Sequence, residues 1–109
     1  MLMYEIRKEK KDTYRFLLKT IQGRTLLNSV DYRSEKEARE SLRKLKPVAE
    51  KSVRVERKTN YNGKFLFSLR DNQGKVIGKS GLFSSEAGME NGIKHLLNRI
   101  QDLPEDDLL

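Results

Sequence analysis

The chain has 109 residues, 23 lysines and arginines against 16 acids, no cysteine and a net charge of +7. That length holds one domain around one core, since domains run from about 50 to about 250 residues, and the lack of cysteine excludes a disulfide framework and thiolate chemistry. Four of the 16 acids and no basic residue fall in the last eight positions, so the preceding 101 residues carry a net +11, with +6 over 1–51 and +5 over 52–101. An anionic partner is compatible with either half.

The opening MLMYEIRKEKK lacks the apolar run of roughly 7–15 residues that a signal peptide needs. No stretch approaches the ~18 apolar residues of a membrane span. The expectation is a cytoplasmic protein that does not enter a membrane.

In chain order, alternation in MYEIR predicts a first strand, and TYRFLLK a second with Tyr14, Phe16 and Leu18 on one face. After the turn TIQG, where Gly23 suits a left-handed backbone, RTLLNS gives a third strand. The period then lengthens: Ala38, Leu42 and Leu45 follow Ser34 at helical spacing, and Ser34 with Glu37 has the form of a reciprocal capping box. Pro47 closes this helix. The grammar starts again in VRVER, a strand followed by NYNG, whose Asn62-Gly63 favours a tight hairpin with both residues at positive φ. KFLFSLR puts Phe65, Phe67 and Leu69 on one face, DNQG turns at Gly74, and KVIGKS makes the sixth strand. A second helix follows Ser85, with Met89, Ile93, Leu96, Leu97 and Ile100 on its apolar side, up to Pro104. Its cap lacks a reciprocal partner, because Gly88 stands where the first helix has Glu37.

A shift of 51 positions aligns these two passages without a gap, pairing Phe16 with Phe67, Leu18 with Leu69, Gln22-Gly23 with Gln73-Gly74 and Ser34-Glu35 with Ser85-Glu86. A copy of about 50 residues buries too little surface to stand alone, so the two should share one core. The predicted fold is α+β: two tandem β-β-β-α repeats related by a pseudo-twofold, forming one antiparallel sheet with two helices packed on it. The boundaries are repeat one at 1–52, repeat two at 53–101, together a single domain of 1–101, and an acidic tail at 102–109.

The run NGKFLFSLRDNQGKVIGKS, the later ENGIKHL, and the matched spacings Ser29-x-x-Tyr32-x-Ser34 and Ser80-x-x-Phe83-x-Ser85 resemble the YegP-like family of small bacterial proteins. The resemblance covers roughly residues 3–100. It implies a β-β-β-α unit whose copies assemble one sheet with exchange of a strand, and it implies no activity. The family's usual glycine is present in Asn91-Gly92-Ile93 but replaced in Glu40-Ser41-Leu42, which implies that the two halves pack differently.

Candidate chemistry is sparse. Gly23 and Gly74 lead into strands, without the further glycines or Lys-Ser/Thr of a phosphate loop, and read as hairpin turns. His95 is the only histidine and has no companion set for zinc or a catalytic triad. Tyr32 and Phe83, just ahead of the caps Ser34 and Ser85, read as core residues at helix entry. The expectation is therefore no catalytic site, no metal and no cofactor. One surface is a functional candidate. If Phe16, Leu18, Phe67 and Leu69 face the helices, alternation turns Arg15, Leu17, Lys19, Lys64, Leu66, Ser68 and Arg70 to the other side, with Arg7 and Arg54 nearby. The favoured function is a non-catalytic interaction or structural module whose partner the sequence does not name, nucleic acid or another protein, as a monomer with an internal pseudo-dimer or as a homodimer. The alternative is electrostatic, weakly sequence-specific nucleic-acid binding through Arg7, Arg15, Lys19, Arg54, Lys64 and Arg70, against which stands the placement of the aromatics on the core face.

Overall fold

The computed structural model describes residues 2–20, 22–45, 54–71 and 73–100. Pro47, Pro104 and the acidic stretch 102–109 lie outside them. Six strands and two helices follow one another: β1 (Leu2–Lys10), β2 (Thr13–Thr20), β3 (Thr25–Ser29), α1 (Glu35–Arg43), β4 (Arg54–Thr59), β5 (Phe65–Arg70), β6 (Val76–Lys79) and α2 (Glu86–Arg99). The strands form one antiparallel sheet in the order β1-β2-β3-β6-β5-β4. Each trio is contiguous, so among the described residues the strand exchange implied by the resemblance is not found. The trios meet edge to edge through β3 and β6, where Asn28 faces Lys79 and Ser29 faces Gly78.

Alternation decides which face is buried. Phe16, Leu18 and Leu27 from one trio and Phe67 and Leu69 from the other join Leu42, Leu45, Met89, Ile93, Leu96 and Ile100 in one core. The helices cover that face, α1 over β1 and β2 and α2 over β5. Burial of so many large side chains, each worth about 1.5–3 kcal/mol, is the main stabilising term.

The turns follow their sequences with one difference. Gly23 and Gly74 have φ of +88° and +85°, and each donates its N–H to the carbonyl three residues earlier, Thr20 or Asp71. In the NYNG turn only Gly63 is at positive φ, +76°; Asn62 is not. Asn60 Oδ1 instead accepts from the N–H groups of Asn62 and Lys64 at 2.9 and 3.0 Å, which holds the five-residue connection 60–64 in place of the tighter two-residue turn. Asp71 Oδ1 does the same for Gln73 and Lys75, and those backbone donors, with the Lys75 and Arg54 charges, keep its carboxyl below the ordinary range.

Both caps form. Ser34 Oγ accepts from Glu37 N at 3.1 Å, and Ser85 Oγ from Gly88 N at 3.0 Å. The reciprocal bond of α1 is displaced, however: Glu37 Oε2 accepts from Arg33 N, one residue ahead of the cap. Tyr32 is partly buried against the core, and Phe83 is buried in it. Their rings stack on Phe16 and Phe67, each at 6.2 Å between centroids. The phenol of Tyr32 meets Ser41 Oγ at 2.5 Å, and burial raises its pKa. Phe83 has no such polar end, and Gly92 lies beneath it so closely that a Cβ there would stand 2.8 Å from Cζ. The two halves do pack differently at this point.

Candidate interaction face

The face of the sheet away from the helices is built by register. One row crosses all six strands, Glu5 opposite Leu17, Leu17 opposite Asn28, Asn28 opposite Lys79, Lys79 opposite Ser68 and Ser68 opposite Glu56. On either side of it Arg7 faces Arg15, Met3 faces Lys19, Arg54 faces Arg70 and Lys58 faces Leu66. The structure thus places Arg7, Arg15, Lys19, Arg54 and Arg70 on one face, while Lys64 sits at its margin in the β4–β5 loop.

Most of these cations are already engaged. Glu5 Oε2 lies 2.9 Å from Lys19 Nζ and 3.1 Å from Arg7 Nη2. Glu56 lies 2.9 Å from Lys58 Nζ and 3.0 Å from Arg70 Nε. The charge-assisted bond from Lys19 holds the Glu5 carboxyl below the usual range, and that from Arg70 does the same for Glu56. Arg15 pairs with Asp31 at 2.6 Å and with Glu9 at 3.7 Å. Arg70 also donates to the carbonyl of Gly74 at 2.7 Å, which ties the face to the β5–β6 turn. Among the described residues, no ion pair holds Arg54, Lys64 or Lys79.

At the centre of the face the exposed Lys79 stands between closely packed neighbours. Leu17 is 5% exposed and Ser68 1%, and the buried atoms Ser68 Oγ and Asn28 Oδ1 have no hydrogen-bond partner among the described residues. At the far side, the bridge between Phe65 and Phe83 sets Leu82 across from Leu66. Leu82 is 59% exposed, one of the few large apolar side chains at the surface. The first trio has an ion pair in this position, because its bridge between Tyr14 and Tyr32 brings Arg15 to Asp31.

Sequence reading counted the cations and missed the carboxylates between them. The signal was present: in Glu5-x-Arg7 and Glu56-x-Lys58, residues two apart on a strand share a face. The cross-strand partners Lys19 and Arg70 needed the register. His95 is exposed on α2 and lines a cleft with Arg24. Among the described residues, no three His, Cys, Asp or Glu side chains gather to hold a metal ion, and no helix is long and apolar enough to cross a membrane.

These features define a small α+β protein with a charge-paired open sheet, and comparison with known proteins places it. Residues 60–101 match a family described as a domain of unknown function, DUF1508. The UPF0339 protein YegP of Escherichia coli (strain K12) is 32% identical over 90 residues, which cover 83% of this chain and 82% of that protein. A UPF0339 protein from the ptx operon 5' region of Stutzerimonas stutzeri is 31% identical over 99 residues, covering 91% and 89%. Among solved structures, the solution NMR structure of YegP from E. coli superposes with a TM-score of 0.74 at 31% identity, covering 94% of this chain and 87% of that one. That of a UPF0339 protein from Shewanella oneidensis gives 0.75 at 28% identity, covering 92% and 85%. The chain belongs to the YegP-like UPF0339 family, a family of unknown function for which no catalytic activity is known.

Proposed function

We propose that this chain is a non-catalytic interaction module, built from two tandem β-β-β-α copies (1–52 and 53–101) about a pseudo-twofold, that meets a partner protein through its open sheet face. The tandem reading is supported by contacts that recur at an offset of 51. Phe16 N donates to Ser29 Oγ and Phe67 N to Ser80 Oγ, both at 2.9 Å. The pairs Arg7–Glu5 and Lys19–Glu5 have counterparts in Lys58–Glu56 and Arg70–Glu56. Asn28 and Lys79 are themselves 51 apart and face each other, which supports a twofold through that pair.

The observation that carries the functional reading is the pairing of Arg7, Arg15, Lys19 and Arg70 with carboxylates on their own face. A cation neutralised by a neighbouring carboxylate releases fewer counterions from a phosphate backbone, and affinity for nucleic acid falls accordingly. The apolar Leu66 and Leu82, in the positions where the first copy has Arg15 and Asp31, suit a protein surface instead. Nucleic-acid binding keeps Arg54, Lys64 and Lys79 as its contacts and is the second reading. With no cysteine, the module suits a reducing cytoplasm.

A photo-crosslinking side chain at position 82, with a control at Lys36 on the exposed side of α1, tests the choice in cells. The account expects a discrete, protease-sensitive and nuclease-resistant adduct from position 82 and none from position 36. A nuclease-sensitive adduct, or equal labelling from both positions, would falsify it.

A further inference from the structure

Two clefts lie where a hairpin of one trio approaches the helix of the other. The first is bounded by Thr20 and Arg24 of the β2–β3 hairpin, by Phe83, and by Gly88, Asn91 and His95 of α2. The second is bounded by Asp71 and Lys75 of the β5–β6 hairpin, by Tyr32, and by Glu37, Glu40 and Lys44 of α1. Each of these residues of the first stands 51 positions from one of the second, whereas Gln22, which also lines the first, has no counterpart lining the second, a comparison that rests on the tandem reading. Their chemistry differs in one consistent direction. Asp71, Glu37 and Glu40 correspond to Thr20, Gly88 and Asn91, so the three carboxylates of the second cleft have no acidic counterpart in the first. The basic positions are kept, as Arg24 for Lys75 and as His95 for Lys44.

We propose that the first cleft binds a small ligand through an oxyanion, a phosphate or a carboxylate, held by Arg24 and His95. Arg24 is prepared for this. Its backbone is pinned to Thr20, whose N–H donates to the Arg24 carbonyl at 2.9 Å while the Arg24 N–H donates to Thr20 Oγ1 at 3.2 Å. Its guanidinium carbon lies over the Phe83 ring, 5.2 Å from its centre, a cation–π contact that uses none of the guanidinium N–H donors on an acceptor oxygen. Gly88 and Gly92 add no side chain to the cleft, and Asn91 adds a neutral amide. The volume, about 280 Å³, sits at the lower edge of the roughly 300–1,000 Å³ typical of small-molecule sites. It fits one compact anion and not a polymer.

The test uses the full chain labelled with ¹⁵N and titrated with inorganic phosphate, and separately with acetate, at constant ionic strength. The expected result is saturable amide shifts at Gly23, Arg24, Gly88 and Gly92 with one of the two anions, which assigns the ligand class. Arg24→Gln weakens that response at least about tenfold, the worth of a charge-assisted hydrogen bond, and His95→Gln weakens it less; Lys75→Gln in the second cleft leaves it unchanged. If Arg24→Gln disturbs the spectrum as a whole, Arg24→Lys retains the charge without the fork and is expected to weaken binding in the same sense. Shifts that fail to saturate, that survive both Arg24 variants, or that appear equally at Lys44 and Lys75 overturn the site. Equal response in the two clefts leaves the tandem reading standing, because that reading rests on backbone and ion-pair geometry elsewhere.

Discussion

At the residue scale, Phe83 and Gly92 form a fitted pair, as Tyr32 and Ser41 do in the first trio. The tyrosine ends in a hydroxyl and is met by a hydroxyl at 2.5 Å; the phenylalanine ends in carbon and is met by no side chain at all. A methyl group at position 92 has nowhere to go, because Phe83 is buried and stacked on Phe67. Gly92→Ala should therefore cost about 1–3 kcal/mol, the usual range for overpacking a core, read as a lower urea midpoint at unchanged slope. In a Phe83→Leu background the same substitution should cost less, since the ring that it strikes is gone. Equal costs in both backgrounds would mean that the penalty arises in the helix backbone and not at the ring.

At the scale of elements, the joint between β3 and β6 is short, with two registered residue pairs against six between β4 and β5. Gly78 lies in that joint, where an added Cβ would stand 2.8 Å from the Asn28 carbonyl oxygen and 3.1 Å from Ser29 Cα. Unlike a flexible side-chain end, backbone at that distance has little freedom to withdraw. Gly78→Ala is expected to destabilise the protein by about 1–3 kcal/mol or more and to raise amide exchange at Val30, whose N–H is held by the Ile77 carbonyl, ahead of exchange within β1 and β2. Uniform exchange across both trios would show that the joint is no weaker than the rest. The elements themselves were largely legible in the sequence, because strand alternation at Phe16/Leu18 and Phe67/Leu69, the caps Ser34 and Ser85, and the turn glycines are all local signals. The NYNG loop was misjudged because Asn60 supplies an Asx bond, which relieves Asn62 of positive φ. The strand order depends on pairings between distant segments and was not legible in the sequence, and the resemblance misplaced one feature by implying strand exchange.

At the scale of the whole molecule, a net charge of +7 is a poor guide to the open face, since several of its cations pair with carboxylates on the same strand or across strands. Composition shows the excess but not the pairing. This network has a pH signature. Glu5 and Glu56 have folded-state pKa values below the ordinary one, so their contribution to stability is complete above the unfolded value of about 4.3 and is lost as pH falls through the folded value. Thermal stability should be flat above about pH 5.5 and decline below about pH 4. The slope should be shallower in a Glu5→Gln/Glu56→Gln double variant, and modest in any case because both side chains are well exposed and screened. An unchanged acid slope in that variant would remove these pairs from the account.

The most direct test of the central claim, that the open face is an ion-paired protein-docking surface and not a polyanion track, is equilibrium binding of labelled single-stranded RNA and double-stranded DNA across a salt series. The account predicts no measurable binding at about 150 mM salt and only a shallow dependence below it, since few uncompensated cations remain to release counterions. It also predicts that charge reversal at Arg15, Lys19 and Arg70 changes little. Micromolar binding at that salt, with a steep slope that falls by about one unit for each reversed residue, would contradict it.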